Sequence, residues 1–267
     1  MAHLKSKFFK SFIPSQDWMD MHQQTIKEQQ EQTIKIDPDS LEEGFHYSNG
    51  FFITDNEVVQ AITFKDKNGK QHAFVEFNPA VSYCDGGLQF VDKVEKNRTE
   101  LLSVENITDQ NVYTSRHRAH KFFLTASTCC YNLISGAECF INDSIENFTG
   151  TLMENPQNPL SKPADIDNDV LRNWSFIKKT ERLLPQIYGK DFSADTTKSV
   201  YYDTLKELIE LRRQFTHLKK IKDQHSYRGT MVRALQFDYT TAYTAVAEFI
   251  NYYTPGLIEI CNCGKPE

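Results

Sequence analysis

Arg212, Arg213 and His217 interrupt the apolar pattern of Leu208-Ile209-Glu210-Leu211-Arg212-Arg213-Gln214-Phe215-Thr216-His217-Leu218. An imidazole titrates near neutral pH and can take or give a proton. A guanidinium is a planar fork of N–H donors that fits oxyanions. Far upstream, Glu138 and Asn142 stand four positions apart, so on a helix they share one face beside an apolar stripe. A carboxylate and an amide placed there need a polar partner, and an Arg or His from another helix would supply it. On a continuous helix, five positions turn two side chains apart by about 140°, so Arg212 and His217 would not share a stripe. A long Arg must then curl toward the His, or a two-fold partner must bring a second pair close.

Other chemistries find less material. The six cysteines are Cys84, Cys129, Cys130, Cys139, Cys261 and Cys263, and no second ligand pair accompanies Cys261-Asn262-Cys263 at zinc-finger spacing. A structural zinc takes four ligands, so ordinary reduced thiols are expected, with no metal and no cofactor. Asp143 and Glu146 have no completed set of ligands around them. Neither a Gly-rich phosphate loop nor a Gly-x-Ser-x-Gly elbow is present, which disfavours nucleotide hydrolysis and serine esterase chemistry. The net charge of −6 excludes a global basic field, so any contact with RNA must use a local patch. Lys219, Lys220 and Lys222, followed by Arg228 and Arg233, make such a strip, to which Lys178, Lys179 and Arg182 add.

The elements that would hold these residues follow from hydrophobic period. Residues 15–36 are rich in Gln and Glu without an apolar stripe, and read as an exposed helical arm within residues 1–40. Residues 41–114 read as a strand-rich module with two hairpins. The first turn is expected at Ser48-Asn49-Gly50, the second at Asp66-Lys67-Asn68-Gly69-Lys70. Gly86-Gly87 and the polar stretch after Val91 read as loops. Residues 115–267 read as helical. Phe122, Ala126, Leu133, Ala137 and Ile141 mark a first long helix; Val170, Trp174, Ile177 and Leu184 a second, bent or stopped by Pro185. Leu205, Leu208, Leu211, Phe215 and Leu218 mark a third; Leu235, Tyr239, Ala242, Val246, Ile250 and Tyr253 a fourth, closed by Pro255-Gly256. The expected class is α+β, mainly α: a C-terminal up-and-down helical bundle with a small N-terminal antiparallel β module. No apolar run spans a bilayer and the N-terminus lacks a signal-peptide core, so a cytoplasmic protein without membrane contact is expected.

Glu138-Cys139-Phe140-Ile141-Asn142 on the first helix, followed by Leu211-Arg212-x4-His217 on a later one, resembles the HEPN superfamily of small helical bundles. Ile177 to Leu184 resembles that family's intervening helix, and the resemblance covers roughly residues 115–253. The position after the Arg departs from the usual Asn, Asp or His, being Arg213 here. The resemblance implies a metal-independent endoribonuclease acting as a toxin or defence effector. Its RNA substrate would be cut to a 2′,3′-cyclic phosphate at the cleft of a homodimer. Arg212 and His217 are then catalytic, Glu138, Asn142 and Arg213 support them, and Lys219, Lys220 and Lys222 guide RNA. A protein antitoxin or regulator is an expected partner. The competing reading is a noncatalytic HEPN-like interaction or regulatory protein, with Arg212 paired to Glu138 and both motif residues buried among satisfied partners.

Overall fold

In the computed structural model, the residues described are 4, 11–12, 16, 20, 48–54, 57–153, 170–171, 173–217 and 227–260. The chain is mainly helical and divides into two compact units, one of Ser6–Asn78 and one of Met1–Lys5 with Pro79–Glu267. Apart from Leu4, Ser11, Phe12, Gln16 and Asp20, the expected arm over residues 1–40 lies outside the described residues. No helix among the described residues is long and apolar enough to cross a membrane.

The smaller unit contains the strands β1 (Ser11–Phe12), β2 (Ser48–Thr54), β3 (Glu57–Lys65) and β4 (Gln71–Val75). Antiparallel pairing places β3 between β2 and the other two strands. The β3–β4 turn falls where Asn-Gly predicts it. Asp66 Oδ1 accepts from Asn68 N and Lys70 N at 2.8 and 3.0 Å, and Gly69 takes φ +77°. The other Asn-Gly is not a turn. Ser48, Asn49 and Gly50 lie inside β2 opposite Thr63, Ile62 and Ala61, and the reversal sits between Thr54 and Glu57. The pairing engages all of β2, from Ser48 opposite Thr63 to Thr54 opposite Glu57, and leaves Asn49-Gly50 at the end away from the reversal.

In the larger unit, the helices are α1 (Pro79–Leu102), α2 (Val112–Glu146), α3 (Phe176–Arg182), α4 (Leu184–Tyr188), α5 (Ser199–Thr216), α6 (Arg228–Gln236) and α7 (Tyr239–Tyr253). Residues 79–102 therefore correct the reading of Gly86-Gly87 and the following polar stretch as loops. The glycines serve close packing instead. A Cβ on Gly87 would collide with Leu133, and one on Gly136 would lie 2.7 Å from Cys84 Sγ and 3.1 Å from the Ala80 carbonyl. Small residues on both helices let α1 and α2 approach antiparallel. Their register runs from Glu100 beside Arg118 and Lys121, through Asn97 beside Thr125, to Gly87 beside Cys129. Gly136→Val is expected to force these helices apart and lower the unfolding free energy by about 1–3 kcal/mol. Urea denaturation checks this, and an unchanged midpoint contradicts it.

Helices α2, α5 and α7 pack mutually, and α7 also lies against α1. Their shared core is aromatic at one end. Phe249 contacts Phe140, Phe176, Phe192 and Tyr253 with ring centroids 5.4–6.1 Å apart. Local signals explain the breaks. Ser175 caps α3, accepting from Lys178 N at 3.3 Å. The break expected at Pro185 is present: α3 ends at Arg182, and Pro185, with no N–H to continue it, stands in the first turn of α4, which Gly189 closes at φ +67°. The single fourth helix expected around Leu235 to Tyr253 is two, because the Asp238 carboxylate caps Thr241 N at 2.9 Å and starts α7 anew.

Cys84, Cys129 and Cys130 are buried free thiols in this core, and Cys139 is half-buried. Burial pushes the Cys84 and Cys129 thiols up to about 12 and raises Cys130 as well. The sign follows from linkage. The folded state holds these protons more tightly than the unfolded chain, whose thiols titrate near 9.0. The contribution is complete below that pH and drains as pH rises toward about 12. Urea midpoints are expected to fall steeply above about pH 9. Midpoints level through that range would contradict the buried placement. Cys261 and Cys263 lie outside the described residues.

Candidate functional site

Helix α5 carries Arg212 in its last turn and ends at Thr216. Leu205, Leu208, Leu211 and Phe215 bury one face of it. Arg212 borders that face and is half-buried, while Arg213 is exposed. His217 follows the last helical residue with φ −113° and ψ 56°, its N–H donating to the Arg213 carbonyl at 2.9 Å, and its side chain is exposed. The His217 N–H thus still makes the i→i−4 bond of the helix, so its Cα keeps the helical position and the offset of about 140° from Arg212 remains.

The two neighbouring arginines have opposite surroundings. Arg213 Nε and Nη2 each donate to Glu210 at 2.8 Å, a bidentate pair that raises Arg213 and lowers Glu210 from their usual ranges. Gln214 also donates to Glu210, and Arg233 lies 4.0 Å from it. Arg212 has no carboxylate partner among the described residues. Its Nε is buried without an acceptor, and its guanidinium carbon lies 6.0 Å from the Tyr131 ring centroid.

The expected support from α2 is rearranged. Asn142 accepts from Lys179 Nζ at 2.9 Å, so its partner is the buried lysine of α3 and not Arg212. No hydrogen bond or ion pair joins Glu138 to Arg212 among the described residues. Spacing explains this. Arg212 stands beside Tyr131, and Glu138 and Asn142 lie about 10 and 16 Å farther along the α2 axis. Arg213, also expected to support the pair, is committed to Glu210. Lys179 is 5% exposed, which removes it from a solvent-facing basic strip, and Lys178 lies 3.4 Å over the Trp174 ring. Arg182 and Arg228 are exposed. Lys219, Lys220 and Lys222 lie outside the described residues.

Sequence spacing missed Tyr131. Its hydroxyl lies 3.0 Å from Thr216 Oγ1. Nothing in the sequence separates this tyrosine from the flank of an ordinary core stripe. Among the described residues, no group of three or more His, Cys, Asp or Glu side chains converges as a metal site would. The described residues offer an exposed imidazole at the end of α5 and, five positions earlier on the same helix, a half-buried guanidinium with no carboxylate partner among them. No family model, curated protein or solved structure matches this chain.

Proposed function

We propose that this protein is a HEPN-like, metal-independent endoribonuclease in which Arg212 and His217 handle the scissile phosphate. The observation that carries the reading is the contrast at the end of α5: Arg213 is paired with Glu210, whereas Arg212 has no counter-charge among the described residues and stands five positions before an exposed imidazole. In the reaction, the RNA 2′-oxygen attacks phosphorus and its proton passes to an imidazole. The bond to the 5′-oxygen breaks, that oxygen receives a proton, and a 2′,3′-cyclic phosphate remains. Arg212 binds the nonbridging oxygens as negative charge builds on them. A C2 homodimer supplies a second imidazole, so that one acts as base and the other as acid. The helices of residues 79–260 form the HEPN-like bundle in this reading, and the strand-bearing N-terminal unit recognises RNA or restrains the nuclease as a toxin or defence effector.

The two arginines test it. Arg212→Ala is expected to lower RNA cleavage by about 10²-fold or more, whereas Arg213→Ala keeps it within about threefold. Equal loss from both, measured on a labelled oligoribonucleotide, would assign the helix end to structure. A noncatalytic interaction role is the alternative in that case.

A further inference from the structure

Tyr131, on a different helix from the motif, touches the last turn of α5 in two ways. Thr216 Oγ1 donates its one proton to the Arg212 carbonyl at 3.0 Å. The Tyr131 hydroxyl, 3.0 Å from the same oxygen, is therefore the donor in that second bond. The ring of the same tyrosine lies against the Arg212 guanidinium, its centroid 6.0 Å from the guanidinium carbon. Nearby, Phe123 meets Phe215 edge-on at 5.2 Å and fixes the turn on its apolar side. Helix α2 thus holds both the backbone and the charged group of Arg212.

The type of contact matters for what Arg212 can bind. A carboxylate orients a guanidinium by consuming its N–H donors and cancelling its charge, as Glu210 does to Arg213. An aromatic face attracts the cation through its quadrupole and uses no N–H. The arginine is steered with its Nε buried, yet its Nη donors and charge stay available to a phosphodiester. We propose that Tyr131 is a positioning residue that presents Arg212 to the phosphate of a bound RNA. This rests on the phosphate-handling reading of Arg212.

The test is binding of a fluorescent RNA oligonucleotide carrying 2′-deoxy linkages, which cannot be cleaved, followed by anisotropy. Arg212→Ala is expected to weaken the Kd about tenfold and Tyr131→Leu about fivefold. In the double variant the two effects do not add, and its Kd matches that of Arg212→Ala, because Tyr131 acts only through the arginine. Tyr131→Phe, which keeps the ring, retains most of the wild-type affinity and remains informative if the leucine variant misfolds. If Arg212→Ala weakens binding while Tyr131→Leu does not, or if the two losses multiply, the positioning role is overturned and the phosphate reading stands. If Arg212→Ala leaves binding unchanged, or the wild type binds no RNA, both fall.

Discussion

His217→Ala is expected to cut the rate of RNA cleavage by about 10²–10⁴, the usual contribution of a positioned acid or base. The same change should leave the unfolding free energy within about 0.5 kcal/mol of wild type, the range for exposed positions. Both expectations come from one observation. The side chain of His217 is exposed at the end of α5, and among the described residues only its backbone N–H is engaged, by the Arg213 carbonyl. A residue that holds no part of the core can be removed without cost to folding, so loss of cleavage would report chemistry. Single-turnover cleavage of a labelled RNA, beside urea denaturation of the same preparation, measures the two quantities. A matched loss of activity and stability would mean that His217 secures the helix end instead.

The second large effect concerns folding. Phe249 is fully buried and meets Phe140 from α2, Phe176 from α3, Phe192 and Tyr253, so one ring ties α7 to three other segments. Phe249→Ala is expected to lower the unfolding free energy by about 3–5 kcal/mol, through lost burial and the cavity left behind. That is a large share of the stability typical of a domain of this size, about 5–15 kcal/mol. Urea denaturation measures it. A loss under about 1 kcal/mol would show that the neighbouring rings collapse into the space, or that the cluster is not the centre of the core.

What could be read before folding was the part governed by period and caps. Helices α2, α5 and α7 bury large apolar residues at intervals of three and four, and their pattern is visible in the chain. Helix α1 was hidden because small or polar residues, Ala80, Cys84, Asp85, Gly87 and Asn97, share its buried face with Val81, Val91 and Val94 and interrupt the apolar stripe. Only contact with α2 makes that face a core face. Local chemistry also has two meanings at Pro185 and at Asn49-Gly50. A proline ends one helix and begins another with the same geometry, and an Asn-Gly pair makes a turn only where the flanking strands find no better register. At the site, Arg212 and His217 were legible from residue type. The partners of Arg212 and Asn142 were not, because they come from other helices: Asn142 finds Lys179 of α3 and Arg212 finds the Tyr131 ring of α2, whereas Arg213 pairs with Glu210 three positions back on its own helix.

In the proposed reading, Arg212 and His217 cut RNA without a metal ion. The most direct measurement incubates purified wild type, Arg212→Ala and His217→Ala proteins with mixed RNA in excess chelator and examines the product ends. Cleavage by the wild type alone is expected, leaving 2′,3′-cyclic phosphates. Absence of cleavage by the wild type, or equal cleavage by all three proteins, would contradict it.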